Sequence, residues 1–184
     1  MVRASLDMLT TSELGSVAIS VLSDSDFPQG SLLLELIYIV DCIAPAELEA
    51  KRFLPATPIR LLLDAKGNNH AGEYTHAALY GSCLAKDRKT AAAVIKSRHV
   101  MIKGMLQRGD LVAGHVAKAL AGKAQQTMQN TLKQELDRLH YLAQLSPNVR
   151  EEELTFIQHR MDWLDDALQR ASVRLDAVRV IICS

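Results

Sequence analysis

The stretch LEAKRFLPATPIRLLLDAKGNN, from Leu48 to Asn69, decides how this chain is read. Two prolines, Pro55 and Pro58, stand between a charged approach and the apolar run Ile59–Leu63. Proline lacks a backbone donor and restricts the residue before it, so neither belongs in the middle of a sheet ladder. They mark a stiff, extended crossing segment that delivers the chain to a buried strand, and such a segment loses little entropy when held in place. Arg52, Phe53, Leu54 and Pro55 make up its first half. The turn DAKGNN follows, with Gly67 and Asn68 tolerating positive φ. It is not a calcium loop, because Lys66 fills a would-be ligand position and the glycine comes too early.

Upstream, Val17, Ile19 and Val21 alternate with small or polar residues, the period of a half-buried strand. Asp, Ser, Pro and Gly crowd the next eight residues into a loop. SLLLELIYIVDCI, starting at Ser31, is apolar on both alternating faces, as a strand covered on both sides should be. Before all this, Arg3–Thr11 reads as a short helix, with Gly15 placed to follow its end.

Beyond Lys89 the pattern changes to helix. Thr90–Gln107 is alanine-rich, and Gly109–Asp110 is expected to interrupt or kink it. A second helix is expected from about Leu111 to Leu145, on the order of 50 Å long at 1.5 Å per residue. Ser146–Asn148 breaks it. Asn148 and Glu151 form a capping box for a third helix, whose acidic first turn suits the helix dipole. Leu154, Ile157, Met161, Leu164 and Leu168 step by three and four, as do Leu132, Leu136, Leu139 and Ala143. Two such stripes joined by a tight break predict an antiparallel helical hairpin. The closing residues Val173–Cys183 return to β-branched strand character.

The expected fold class is therefore α+β. A small, mostly antiparallel sheet takes three early strands and one from the far end, and a long antiparallel helical hairpin is inserted before that last strand. One domain covers residues 1–184; the alternative is a division near Asn69, with a sheet part at 1–69 and the hairpin and final strand at 70–184.

Charge and composition narrow the function. The 184 residues carry no net charge and are 48% hydrophobic. That is ample for a core and leaves room for an apolar contact surface. Ten basic residues between Lys86 and Lys133 are opposed only by Asp87 and Asp110, while the first sixty and last fifty residues are net acidic. The candidates for a basic surface are Lys96, Lys103, Lys118 and Lys123. They form either a solvated helix face or a nucleic-acid surface. Low aromatic content argues against a stacking platform for single strands. The amphipathic start is no signal peptide, and the longest apolar run is too short to span a bilayer. Cys42, Cys83 and Cys183 have no paired spacing and read as reduced thiols of a cytosolic protein.

No motif for catalysis, cofactor or metal binding is found, and no small-molecule substrate or membrane partner is expected. GHVAKALAGKA, from Gly114, has the wrong spacing for a phosphate loop and sits in a helical stretch. His70, Glu73 and His76 lack helical metal-site spacing and a fourth ligand. Asp162, Asp165 and Asp166 read as a solvated face or as partners of the basic helix. Trp163 reads as a packed or interface anchor without a pocket.

Several strings together resemble one family: GSVAISVL from Gly15, GSLLLELIYIV from Gly30, RFLPATPIRLLLDAKGNN from Arg52, LSPNVREEEL from Leu145 and RLDAVRVII from Arg174. They resemble the C-terminal region of the RapA family, bacterial RNA polymerase-associated, Swi/Snf-type helicase-like ATPases. The resemblance spans nearly the whole chain and is most specific at Arg52–Asn69 and Arg174–Ile182.

It implies a parent protein that binds RNA polymerase core and uses ATP hydrolysis to promote polymerase recycling during transcription in the bacterial cytoplasm. It also implies that this chain is a fragment. ATP and magnesium belong to an upstream motor whose motifs are absent here, so no catalytic residue carries over. The expected function is a non-catalytic interaction and regulatory domain, with polymerase core or the upstream motor as partner. The alternative is a nucleic-acid-binding module that uses residues 86–133 on DNA. Arg52, Phe53, Leu54 and Pro55 are the expected docking strap, unless Phe53 and Leu54 plug the domain's own core.

Overall fold

The computed structural model describes residues 17–22, 26–85, 88–146 and 149–184. The expected helix at Arg3–Thr11 lies outside the described residues, as do Lys86, Asp87 and Asn148. The elements are β1 (Val17–Leu22), β2 (Leu32–Asp41), β3 (Thr57–Asp64), α1 (His76–Ser82), β4 (Cys83–Ala85), α2 (Arg88–Leu145), α3 (Glu151–Gln169) and β5 (Ser172–Cys183). The fold is α+β and the sheet is mostly antiparallel, in the order β3-β2-β5-β1-β4. One pairing is parallel: β1 runs beside β5, from Val17 opposite Val178 to Leu22 opposite Cys183. The short strand β4 pairs antiparallel with β1 and carries no alternation long enough to announce it in the sequence.

The chain clusters into two compact units, neither continuous in sequence. The first takes the described residues through Ile39, then Pro58–Gly114 and Arg174–Ser184. The second takes Val40–Thr57 and His115–Val173.

In the first unit β2 is covered on both faces, and period two explains how. Leu33 joins Leu22, Leu62, Leu79, Ile181 and Cys183 in one apolar cluster, with Phe27, Ala71 and Tyr74 packed against it. Leu36 and Tyr38, on the opposite face, approach Gly109 of α2. Ile102, Met105 and Leu106 of α2 are buried, the i, i+3, i+4 stripe of a helix laid on a core.

Gly109 and Asp110 do not break the helix as expected. Helix α2 runs through them, and its one non-helical residue is Arg98, at φ −113° and ψ 15°. A Cβ on Gly109 would strike Leu36 Cδ1 and lie 2.8 Å from Tyr38 Oη. The glycine is there for close approach to the sheet, which no local pattern distinguishes from a kink.

In the second unit, the α2 segment from His115 and helix α3 form the hairpin. Ala117, Ala121, Ala124, Met128 and Leu132 are buried on the first, and Ile157, Leu164, Ala167 and Leu168 on the second. Alanines thus extend the stripe that leucines began. Helix α3 starts at Glu151 with Arg150 as its N-cap and no side-chain cap bond, two residues later than the capping-box expectation.

The crossing segment also differs from expectation. Ala46–Leu48 and Ala50–Arg52 form 3₁₀ turns joined by Glu49 at φ 53°, and Phe53 is helical in backbone. Only from Pro55 does the chain extend. Pro58 lies inside β3, which begins at Thr57 rather than Ile59. A proline is tolerated there because β3 is an edge strand and the residue sits near its start.

Candidate functional site

Three arrangements of polar and apolar side chains stand out among the described residues. The first is a charge cluster on the first unit's sheet. Glu35 sits on β2 with its side chain only 3% exposed, between neighbouring strands that each supply an arginine. Arg60 Nε on β3 donates to Glu35 Oε1 at 2.7 Å, and Arg179 Nε on β5 donates to Oε2 at 2.7 Å. His76 Nδ1, at the start of α1, lies 3.2 Å from Oε1. Burial by itself would raise the Glu35 pKa. The bonds from Arg60, His76 and Arg179, with the Arg179 charge, outweigh burial and hold the carboxyl below its ordinary range. Arg60 Nη1 also donates to the carbonyls of Tyr74, at 2.7 Å, and Ala71, at 3.2 Å. The cluster ties three strands to the segment leading into α1. It acts as a structural lock.

The second is the turn after β3. Asp64 accepts from Asn68 N and Asn68 Nδ2, both at 2.8 Å. His70 lies 3.3 Å from Asp64 Oδ2 and 2.9 Å from Glu73 Oε2, with Phe27 edge-on to its ring. Burial opposes ionisation of Asp64, but its hydrogen bonds win and bring the pKa down to about 2. The Glu73 hydrogen bond leads in raising the His70 pKa. The candidate metal trio is thereby divided: His70 and Glu73 serve this turn, while His76 turns to Glu35.

The third lies in the second unit. Ile43, Pro45 and Leu48, from the loop after β2, face Trp163 and Ala167 of α3 across a groove of about 430 Å³, with Glu47, Asp166 and Arg170 at its edge. Ile43 is 89% exposed and Trp163 is 54% exposed. Two contacts pin the loop to α3. Cys42 Sγ donates to the Ala167 carbonyl at 3.2 Å, and Arg160 Nη2 donates to Glu49 Oε2 at 2.7 Å. Burial leads in pushing the Cys42 thiol upward, which keeps it protonated as a donor. Trp163 therefore does line a pocket, contrary to expectation. The other wall comes from about 115 residues earlier in the chain, beyond any local pattern.

The remaining candidates fall as follows. Leu54 is buried, Phe53 half-buried, and Arg52 and Pro55 exposed, with the Arg52 guanidinium 5.6 Å from the Phe53 ring centre. Lys96, Lys103, Lys118 and Lys123 are all exposed on α2. Lys118 and Lys123, five residues apart, point about 140° from each other around the helix. Asp165 accepts from the amides of Gln125 at 3.0 Å and Gln129 at 3.1 Å, so glutamines rather than lysines meet the acidic helix there. The string from Gly114 to Ala124 lies inside α2. Its backbone amides are spent on helix bonds and cannot cradle a phosphate. No described helix is long and apolar enough to cross a membrane.

Comparison with known proteins agrees with this frame. Residues 1–183 match the family model described as RNA polymerase recycling family C-terminal. The chain is 37% identical over 182 residues to the RNA polymerase-associated protein RapA of Cronobacter sakazakii, covering 99% of this chain and 19% of that protein. The RapA of Klebsiella pneumoniae is 38% identical with the same coverage. That of Vibrio vulnificus is 35% identical over 184 residues, covering 100% of this chain and 19% of the relative. The chain thus spans about a fifth of the length of these curated relatives.

Proposed function

Because the chain belongs to the RNA polymerase recycling family, as its C-terminal domain, we propose that it is a non-catalytic interaction and regulatory domain of an RNA polymerase-associated factor. The observation that carries this reading is the match of nearly the whole chain to one fifth of proteins named for their association with polymerase. The domain docks on RNA polymerase core or on the upstream ATPase motor of its own protein, in the bacterial cytoplasm. Helicase-like, Swi/Snf-type ATP hydrolysis, and the ATP and magnesium it needs, belong to that motor. The helical course of Gly114–Ala124 supports placing nucleotide binding outside this chain. Exposed apolar side chains such as Ile43 and Trp163 suit a domain that meets a protein surface.

The test is binding of the 184-residue chain to RNA polymerase core, to the isolated motor region and to duplex DNA, each at low and moderate salt. Salt-tolerant binding to either protein supports the docking reading. Binding to DNA alone, lost steeply with salt and weakened by charge reversal at Lys96, Lys103, Lys118 and Lys123, favours instead a nucleic-acid module built on the exposed lysines of α2.

A further inference from the structure

We propose that the groove between the Ile43–Leu48 loop and α3 seats a partner protein segment that carries a large apolar side chain flanked by lysine or arginine. The inference deepens the docking reading and rests on it for the identity of the partner, though not for the chemistry of the groove.

The groove has an apolar half and a polar half. Ile43, Pro45, Leu48, Trp163 and Ala167 line one concavity of about 430 Å³. Its two largest exposed side chains, Ile43 and Trp163, face water at 89% and 54% exposure. An apolar cleft with an exposed tryptophan is the usual seat of an anchor side chain. Its walls are already set. Glu49 holds a left-handed turn at φ 53°, its carboxylate is tied to Arg160, and Cys42 is tied to Ala167. His159 stacks on Trp163 with ring centres 5.8 Å apart, which limits the motion of the indole. Little ordering remains to be done on binding.

The polar half is charge complementarity. Around Trp163, helix α3 carries Asp162, Asp165 and Asp166 against one arginine, Arg160, which is already engaged by Glu49; Asp162 and Asp165 line a neighbouring concavity with Lys133, and Asp166 lines the groove. At the groove itself, Glu47 and Asp166 face one cation, Arg170, whose contact with Asp166 is exposed and 3.5 Å long. Asp162, one residue before Trp163, is exposed. Acidic flanks of this kind attract cations and repel phosphate backbones, which sets the occupant apart from nucleic acid.

Trp163 is the only tryptophan of the chain, so its fluorescence reports the groove directly. Two tryptophan-free amphipathic peptides are titrated into the full chain. They share a leucine anchor and differ only in lysine or glutamate flanks. The expected result is an emission shift with the lysine peptide at a Kd at least about tenfold below that of the glutamate peptide. Ile43→Asp should abolish the shift, and Glu47→Gln with Asp166→Asn should cut the preference to below about threefold. Circular dichroism melts confirm that these surface variants fold. Equal response to both peptides, or to neither, overturns the proposal. So does a concentration-dependent dimer that Ile43→Asp dissolves, which would give the groove to a second copy. The docking reading is judged separately: wild-type chain that binds neither polymerase nor motor sinks that reading whatever the peptides do. Conversely, binding to polymerase or motor that Ile43→Asp leaves unchanged overturns the groove as the docking site and spares the docking reading.

Discussion

Tyr38 donates its phenolic hydrogen to Asp110 Oδ1 at 3.0 Å, and the residue before Asp110 is the glycine whose missing side chain lets Tyr38 and Leu36 come that close. Burial leads in pushing the Tyr38 phenol far above its ordinary range, with the Asp110 charge and hydrogen bond adding to it, so it remains a donor. Gly109→Ala is expected to destabilise by about 1–3 kcal/mol through overpacking, although alanine is the better helix former by about 1 kcal/mol. Gly104→Ala, on the same helix with nothing within 4 Å of its Cβ position, should stabilise by up to about 1 kcal/mol. Urea melts of the two variants check the contrast. Equal effects would mean that close approach is not what Gly109 serves.

Glu35 offers a second prediction. Its side chain is 3% exposed and lies between Arg60 and Arg179. Glu35→Gln leaves both guanidinium groups short of a counter-charge and should cost about 3–5 kcal/mol. Replacing all three residues with apolar ones of similar size should cost much less, because the desolvation penalty is removed with the charges. Chemical denaturation of the single and triple variants distinguishes these outcomes.

Acid should loosen the turn at Asp64. Its pKa falls from an ordinary 3.8 to about 2 on folding. The stabilisation is therefore complete above pH 3.8 and lost as pH drops through about 2. His70 works in the other direction. Its pKa is raised from 6.5, so its contribution is present below that value and fades as pH rises past it. The stability gap between wild type and Asp64→Asn should be widest near pH 5, narrow below pH 3.8 and close as pH falls through about 2, read from denaturation midpoints across that range.

The Arg52–Pro55 segment separates stability from docking. Leu54 is 3% exposed, and Leu54→Ala should cost about 2–5 kcal/mol. Arg52→Ala and Pro55→Ala change exposed side chains and should stay within about 0.5 kcal/mol in thermal melts. Any loss of partner binding in those two variants would then report contact rather than unfolding.

Much of this protein was legible in the amino-acid sequence. Period-two alternation in Val17–Leu22, doubled apolar faces in Leu32–Val40 and three-and-four stepping in Leu154–Leu168 follow from local geometry, and they announce the sheet and the hairpin. The family was legible as well, because whole strings such as Arg52–Asn69 carry it. What only the tertiary structure decided are relationships between residues far apart in the chain. Gly109 read as a kink because its reason, the nearness of Leu36 and Tyr38, lies some seventy residues away. Pro58 read as a strand boundary because edge position is a property of the sheet and not of the segment. Glu35, inside an apolar strand, gains its role only from Arg60 and Arg179 on neighbouring strands. The groove at Trp163 has one wall on α3 and the other on a loop more than a hundred residues earlier. Local periodicity records which face of an element is buried, whereas the partner against which it is buried is settled only when the chain closes on itself.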